Sequence, residues 1–311
     1  MSNRSALSSH DRQARLVALA AEVRPELHRY CARLMGSVID GEDVVQDTLL
    51  RALVALQDLE EVPPLRPWLF RVAHNRALDL LRGRMLRSAE PLDAAPERAD
   101  PDTPDPLETL MRRQAVETAV SRFAELSIVQ RSVVVLKDVL DESLTEIASL
   151  LGLTVDAVKA HLARGRARLR EVNARAAPPP DVRRPSAAVS RYVALFNRHD
   201  WDALRSLLAD DVKLSQSTHS LRVGRAEVGM FFTIYAQIPE VWLAPAWLEG
   251  QEVIAVFENR ADARPSYMMW LEWVDGRITF IRDYRYVRYV VAEAEWALAS
   301  SVPPADEAAA H

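Results

Sequence analysis

The stretch TEIASLLGLTVDAVKAHLARGRARLR, residues 145–170, predicts two helices joined by a tight turn. Ser143 and Glu146 have the spacing of a capping box at the start of the first helix. Gly152 permits the turn that follows, because glycine adopts the left-handed backbone conformation without steric cost. Thr154 is placed to cap the second helix. The stretch therefore predicts a helix-turn-helix motif with a basic second helix.

The positive charge of this second helix lies beside a ridge of alanines. At about 100° per residue, the apolar side chains fall on one side of the helix and Ala160 falls on the opposite side. Lys159 and Arg170 flank the ridge on one edge. Arg164 and Arg168 flank it on the other. Small side chains let a helix enter the major groove, while basic flanks reach phosphates or base edges. These five residues are therefore predicted to contact DNA; the alternative is a solvated surface helix rich in Ala and Arg.

Two proline-rich stretches divide the chain. Residues 88–110 contain seven acidic side chains, one base and five prolines, which predicts an extended acidic linker. Residues 176–186 contain three consecutive prolines and predict a second linker. The predicted segments are the helical blocks 1–87 and 111–175, the linkers 88–110 and 176–186, a third block at 187–300, and a disordered tail at 301–311.

The third block differs from the first two in its aromatic content and in its periodicity. It holds six of the seven tryptophans, and two helical stretches in it precede runs that alternate as strands do, such as SYMMWLEWV (266–274). Asp275-Gly276 is a hairpin signal between two of these runs. The predicted fold class is multidomain, with two all-α domains followed by an α+β domain.

Metal and cofactor sites require residues that this sequence does not supply. Cys31 is the single cysteine, which excludes a disulfide framework and a cysteine-based zinc site. The seven histidines do not have the spacing of metal ligands, and there is no phosphate loop, G-x-G-x-x-G or H-E-x-x-H motif. We therefore expect no metal and no cofactor. The first residues lack the apolar core of a signal peptide, and no run of roughly 18 apolar residues occurs. We therefore expect a cytoplasmic protein without a membrane partner.

Three segments carry a family resemblance. LSIVQRSVVVLKDVLDESLTEIASLLGLTVDAVKAHLARGRARLR (126–170) closely resembles region 4 of extracytoplasmic-function (ECF) sigma factors. GEDVVQDTLLRAL (41–53) and RPWLFRVAHNRALDLLRGR (66–84) resemble region 2 of the same family. The resemblance implies a transcription initiation factor whose partners are core RNA polymerase and promoter DNA. In that family, region 4 binds the -35 element and region 2 binds the polymerase clamp and melts the -10 element.

The overall charge and the linker agree with that resemblance. Residues 1–175 contain 25 Lys and Arg against 26 Asp and Glu, so DNA binding without polymerase is expected to be weak. The family's linker threads polymerase channels that otherwise hold nucleic acid. An extended chain with the charge of residues 88–110 can act there as a phosphate mimic; the alternative is a plain solubilising linker.

The resemblance also implies site residues in region 2. Asp40 is expected to cap a helix that begins at Gly41. The polar side chains expected largely outside its buried stripe, and implied to dock on the polymerase clamp, are Glu42, Asp43, Gln46, Asp47 and Arg51. The polar surface implied to meet the -10 element consists of Arg71, His74, Asn75, Arg82 and Arg84. The alternatives are an ordinary polar helix face and a structural His74.

The opening of the third block, SRYVALFNRHDWDALRSLLADDVKLS (190–215), resembles SnoaL-like domains of the nuclear-transport-factor type. That resemblance implies a cone of helices against a bent sheet, with an interior pocket. The candidate pocket residues are Tyr192, Trp242, Trp270 and Asp283. The domain is expected to regulate the sigma factor by contacting region 2 or the linker, or by binding a small molecule. Two alternatives stay open: a ligand-responsive DNA-binding regulator that acts without polymerase, and a cyclase or isomerase fused to a DNA-binding module.

Overall fold

The structure is a computed structural model that describes residues 9–58, 63–88, 118–175, 184–217 and 219–299. The chain forms two compact units, Met1–Ala177 and Pro178–His311. The acidic linker predicted after Ser88, most of the second predicted linker and the predicted tail lie outside the described residues.

Three helices form the N-terminal part of the first unit: α1 Ser9–Met35, α2 Val38–Asp58 and α3 Leu65–Ser88. The short connection between α1 and α2 requires Gly36, whose φ is +76°. Gly41 lets the two helices approach closely, since a Cβ there would lie 2.5 Å from the backbone of Ala32. The prediction that Asp40 caps α2 is wrong. The helix begins earlier, and the Asp40 backbone N–H donates to the hydroxyl of Ser37 (3.2 Å).

The C-terminal part of the first unit contains the predicted helix-turn-helix. A 3-10 helix (Val120–Glu125) precedes α4 (Ile128–Val134), which continues into a π-helical turn (Val135–Val139); α5 (Leu144–Leu151) and α6 (Val155–Ala174) follow. The predicted capping box is confirmed, because Ser143 and Glu146 exchange both of its hydrogen bonds. Gly152 ends α5 at φ +69°, and the Thr154 hydroxyl accepts from the Ala157 backbone N–H at the start of α6.

The two helical parts of the first unit share one hydrophobic core. Side chains of α1, α2 and α3 pack in the same cluster as side chains from the 3-10 helix and from α4, α5 and α6. Members of this cluster include Leu27, Tyr30, Leu34, Phe70, Phe123, Leu126, Leu136, Ile147 and Leu162. The blocks predicted at 1–87 and 111–175 therefore pack together as one body.

The second unit is an α+β domain, as predicted. Its elements are α7 Ala187–Asn197, α8 Trp201–Ser206, β1 Leu208–Gln216, β2 Arg222–Val223, α9 Arg225–Tyr235, β3 Trp242–Leu248, β4 Gln251–Phe257, β5 Tyr267–Val274, β6 Arg277–Asp283, α10 Tyr289–Glu293 and β7 Trp296–Leu298. The strands form one sheet in the order β2-β1-β6-β5-β4-β3-β7. Paired neighbours are antiparallel, apart from the parallel pair β1 and β6.

One face of this sheet holds the core of the second unit. Helices α7, α8 and α9 contribute Tyr192, Phe196, Leu204 and Phe232 to a cluster with inward-facing strand residues such as Met269. The predicted Asp275-Gly276 hairpin is confirmed: it joins β5 to β6, and both residues have positive φ, 49° and 73°.

Candidate functional site

The basic surface predicted on the helix-turn-helix lies on α6. Val158, Leu162 and Leu169 are buried, which leaves the alanine ridge on the outer side. Lys159, Ala160 and Arg164 are half-buried there, and Arg170 is exposed. Gly165 lies on the buried side, and a Cβ at this position would come within 2.6 Å of the Val134 side chain. The glycine therefore lets α6 pack directly on α4.

Arg166 fixes the position of α6 and was not predicted to have a role. Its guanidinium donates to both carboxylate oxygens of Asp138, at 2.9 Å and 2.6 Å. The Asp138 side chain is fully buried in the π-helical turn, so the pair ties α6 to the end of α4. The sequence carries a signal for this role, because position 166 lies four residues after Leu162 and three before Leu169, both of which are buried.

Arg168 is engaged by acidic side chains that the sequence stretch itself did not reveal. It donates to the carboxylate of Glu125 in the 3-10 helix (3.0 Å) and to Glu171 one turn further along α6 (3.1 Å). Glu125 also accepts from Arg175 (3.3 Å). The positive charge of Arg168 is thus partly balanced, whereas that of the exposed Arg170 has no carboxylate partner in the described part of the chain.

Helix α3 presents a polar stripe in which Arg71, Asn75 and Arg82 are exposed, as predicted. Asp79 belongs to the same stripe and lies 3.8 Å from Arg82. Arg84 makes a bidentate pair with Asp40 at the start of α2 (2.6 Å and 2.7 Å). This pairing raises the pKa of Arg84 and fastens the C-terminal part of α3 to α2.

The prediction that His74 faces DNA is wrong. Its side chain is buried, and Nδ1 lies 2.7 Å from the hydroxyl of Tyr30 on α1. Burial, together with the nearby charge of Arg82, lowers the pKa of His74 to about 4. The imidazole is therefore neutral at physiological pH and holds α3 against α1.

The polar face predicted on α2 is only partly exposed. Glu42 is buried and forms an ion pair with Arg24 of α1, so the prediction that it lies outside the buried stripe is wrong. Position 42 lies three residues before Val45, which is buried, and this spacing explains the burial. Asp43 and Gln46 are half-buried.

The outer surface of α2 further along is both charged and apolar. Asp47 pairs with Arg76 of α3 and lies 3.6 Å from Arg51, which is exposed. Leu50 and Val54 are 57% and 64% exposed, and the sequence analysis did not single them out. Two exposed aliphatic side chains one turn apart, beside a carboxylate and a guanidinium, form a surface suited to protein docking.

A group of polar side chains lies within the core of the second unit. Asp283 at the end of β6 is fully buried and accepts from the Gln216 amide (2.7 Å) and from the Arg285 backbone N–H (3.1 Å). Burial raises the pKa of Asp283 to about 6. The hydroxyls of Tyr235 and Tyr267 are 2.5 Å apart, and burial raises the pKa of both phenols.

The candidate pocket residues of the second unit do not line one cavity. Tyr192 is buried on the core face, where its hydroxyl donates to the Met269 sulfur (3.8 Å), and its pKa is raised by burial and by the charge of Asp283. Trp242 stacks on Phe257 (ring centroids 5.6 Å apart). Trp242 precedes the core residue Leu243 and Trp270 follows the core residue Met269, so strand alternation points both indoles to the opposite face. Their placement inside the cone is therefore a wrong prediction.

Two other features, a cluster of metal ligands and a membrane-spanning helix, are absent from the described residues. These residues contain no group of three or more His, Cys, Asp or Glu side chains arranged to hold a metal ion. Within the same residues, no helix is both long enough and apolar enough to cross a membrane.

Three families match the chain in succession. Sigma-70 region 2 matches residues 19–87, Sigma-70 region 4 matches residues 115–169, and the SnoaL-like domain matches residues 189–281. The first two matches cover most of the helical residues of the first unit, and the third covers most of the second unit. The class that these matches define is a sigma-70-type transcription factor with a C-terminal SnoaL-like domain.

Individual relatives refine that class. The ECF RNA polymerase sigma factor SigG of Mycobacterium tuberculosis is 35% identical over 209 residues, which cover 59% of this chain and 56% of SigG. The RNA polymerase sigma factor CnrH of Cupriavidus metallidurans is 37% identical over 137 residues, which cover 42% of this chain and 71% of CnrH. The crystal structure of the M. tuberculosis ECF sigma factor SigJ aligns with 22% identity and a TM-score of 0.35, over 86% of this chain and 95% of SigJ. The chain spans about half the length of SigG, and it belongs to the ECF family of RNA polymerase sigma factors.

Proposed function

We propose that this chain is a promoter-specificity subunit that directs core RNA polymerase to the -10 and -35 elements and initiates transcription. The observation that carries the proposal is the outer surface of α6, where Lys159, Arg164 and Arg170 flank a ridge of alanines in a capped helix-turn-helix. Such a helix fits the major groove, and its basic side chains are then directed to the phosphates and to the edges of the DNA bases. This function places the chain in the cytoplasm, where promoter DNA lies.

The proposed dependence of DNA binding on polymerase follows from the ion pairs that the arginines of the first unit make. Arg166 and Arg84 are held bidentately by Asp138 and Asp40, and Arg168 is engaged by Glu125. Arginines that neutralise the chain's own carboxylates release few counterions from DNA, so affinity for duplex DNA alone stays low. Attachment to core polymerase supplies the missing affinity, and this favours a sigma factor over a regulator that acts without polymerase.

The assignment of roles in region 2 rests on exposure. Arg71, Asn75 and Arg82 form the part of α3 that meets the -10 element, since planar polar side chains can hold unstacked bases. Asp43, Gln46, Asp47 and Arg51 contact polymerase along the outer face of α2, together with Leu50 and Val54. Glu42 and His74 act inside the domain, through Arg24 and Tyr30.

The SnoaL-like domain is proposed to regulate the sigma regions of the same chain, without a catalytic role. Support comes from its interior, where Asp283, Gln216, Tyr235 and Tyr267 bond to one another or to backbone and are buried among aromatic side chains. A general acid or base would have to reach a substrate. Regulation through protein contacts is therefore favoured over regulation by a small molecule bound near Tyr192 and Asp283.

Run-off transcription with core polymerase and a promoter library tests the proposal. The full-length chain is expected to direct initiation from a defined class of promoters. The chain lacking 187–311 is expected to yield a different amount of transcript from the same promoters. A full-length chain that neither co-purifies with core polymerase nor directs initiation would refute the proposed function. Equal output of the two chains, with and without candidate ligands, would refute the regulatory role alone.

A further inference from the structure

The alanine ridge of α6 begins with a carboxylate. Residues at intervals of four, three and four lie along one line of a helix. In α6 the line opposite the buried Leu162 consists of Asp156, Ala160, Ala163 and Ala167. Asp156 lies in the first turn and is exposed. The surface proposed to enter the major groove therefore carries an acidic side chain at its N-terminal end.

This carboxylate differs from other acidic side chains near α6. Asp138 accepts from Arg166, and Glu125 accepts from Arg168, so both help to hold the helix in place. Within the described residues, the carboxylate of Asp156 makes no hydrogen bond or ion pair. Its two oxygens are therefore available as hydrogen-bond acceptors on the outer side of α6.

A carboxylate at this place weakens binding to most DNA sequences. Phosphates line both walls of the major groove and repel a negative side chain that lies between them. Cytosine compensates for this repulsion, because its edge in the groove presents an N4 amino donor that Asp and Glu accept from. Guanine and thymine present acceptors there, and adenine presents its amino donor beside the acceptor N7. One carboxylate on the groove-facing surface therefore favours cytosine over the other three DNA bases.

We infer that Asp156 is a specificity-determining residue, which selects cytosine at one position of the -35 element by accepting a hydrogen bond from its N4 amino group. The inference rests on the proposed function and names the DNA base that one side chain of α6 reads. In helix-turn-helix proteins, the N-terminal residues of the recognition helix contact the base edges. The helix is fixed at that end, because the Thr154 hydroxyl accepts from the Ala157 backbone N–H (3.1 Å).

Arg164 is placed to read a separate position. It lies eight residues after Asp156, or about 12 Å along the helix axis. One of its N–H groups lies 3.4 Å from Nδ1 of His161, whose pKa is lowered by burial and by the charge of Arg164. A guanidinium has five N–H donors, and two of them can bind O6 and N7 of guanine. Because stacked DNA bases are about 3.4 Å apart, the cytosine and the guanine should lie within about four base pairs of each other.

A purely structural role for Asp156 predicts a different result. An acidic side chain in the first turn stabilises a helix through the helix dipole. Loss of that stabilisation alone would weaken binding to every promoter sequence by the same factor. Loss of a contact with cytosine weakens binding only to promoters that carry this cytosine. Binding to the other promoters should stay the same or increase, since the repulsion between the carboxylate and the phosphates is removed.

Run-off transcription from a promoter library randomised across the -35 element tests the inference, with the full-length chain bound to core polymerase. The wild type is expected to favour cytosine at one position about fivefold or more. Asp156→Ala should lose this preference. Asp156→Asn should shift it to adenine, because the asparagine amide pairs with N6 and N7 of adenine. Arg164→Ala should keep the cytosine and lose a guanine preference at a second position.

Glu227→Gln is the matched control. Glu227 is an exposed acidic side chain in the first turn of α9, so this variant makes the same change of charge in the second unit. Its base preferences should equal those of the wild type. Base preferences that are unchanged in both Asp156 variants, or a loss of binding that is equal for all four DNA bases, would overturn the inference.

Selection of random duplexes by the chain alone separates the inference from the proposed function. Low salt is used, because it strengthens the contacts with phosphates. If the chain directs no transcription but the selected duplexes change from cytosine to adenine in Asp156→Asn, the proposed function fails and the reading of cytosine stands. If the wild type directs transcription and both Asp156 variants keep its base preferences, the proposed function stands and the role of Asp156 is refuted.

Discussion

The two units of this chain use paired polar groups in opposite ways. In the sigma unit, charged side chains join one helix to another, as Arg166 joins α6 to Asp138 and Arg84 joins α3 to Asp40. In the SnoaL-like unit, Asp283 and its neighbours lie inside the core and bond within it. The number of arginines in a helical segment therefore overstates its affinity for DNA, because several of these arginines hold the helices in place.

The largest expected effect comes from breaking the Arg166 pair. Asp138→Ala leaves the guanidinium of Arg166, whose side chain is 15% exposed, without its carboxylate. Removing one partner of a buried pair costs about 3–5 kcal/mol, so the free energy of unfolding of the sigma unit should fall by that amount. Urea denaturation followed by the circular dichroism of the helices measures it. Asp79→Ala, which removes an exposed helical carboxylate 3.8 Å from Arg82, is the control and should cost under about 1 kcal/mol. Equal losses in the two variants would contradict the anchoring role of Arg166.

The second effect concerns the interior of the SnoaL-like unit and depends on pH. An unfolded aspartate titrates near 3.9, whereas Asp283 in the folded unit titrates at about 6. Between these values the folded unit binds a proton that the unfolded chain has released, so stability falls as the pH rises from about 4 to about 6. The contribution is about 3 kcal/mol.

Asp283→Asn should remove this pH dependence, because the amide does not ionise. Urea unfolding followed by tryptophan fluorescence between about pH 4 and pH 7 measures it, since six of the seven tryptophans lie in 187–300. Asp211→Asn, at an exposed position, should leave the profile of the wild type unchanged. Parallel profiles for the wild type and Asp283→Asn would show that Asp283 keeps an ordinary pKa.

The third effect distinguishes the basic side chains proposed to face DNA from the arginines that hold the helices together. Lys159→Ala combined with Arg164→Ala should reduce transcription from promoters with a -35 element about 30-fold or more, because direct contacts with bases are worth about 1–3 kcal/mol each. Co-purification with core polymerase should be retained, since the proposed docking face lies on α2. Unchanged promoter selectivity in the double variant would contradict the groove-binding role of α6.

The smallest effect tests whether Glu125 restrains Arg168. Glu125→Gln weakens an exposed ion pair and leaves Arg168 more available to a phosphate, so promoter affinity of the polymerase complex should rise about two- to fivefold. Salt titration of promoter binding should also become steeper. Glu171→Gln, which removes the other carboxylate near Arg168, is the matched comparison. A decrease in affinity for Glu125→Gln would mean that Arg168 has a purely structural role.

The features predicted from the sequence were those that local spacing determines. The capping box of Ser143 and Glu146, the turn at Gly152 and the Asp275-Gly276 hairpin involve residues only a few positions apart, and all three are present. The outward alanine ridge of α6 followed from helical periodicity, which also left Lys159 and Arg170 outside the core.

The errors arose where the partner comes from a distant part of the chain. Glu42 and His74 look like surface residues until α1 supplies Arg24 and Tyr30. The pairing of Arg168 with Glu125 crosses 43 positions and could not be inferred from a helical projection. The wrong placement of Trp270 has a different cause, because the alternation of side chains along the strand from Met269 places Trp270 on the outer face.

The burial of His74 in α3 determines how this histidine responds to an acidic cytoplasm. With its pKa near 4, His74 stays uncharged across the range in which histidines usually act as proton sensors. The exposed Arg71 and Arg82 lie on the same helix. On the proposed role of α3 at the -10 element, this histidine should therefore add no pH dependence to strand separation in a mildly acidified cell.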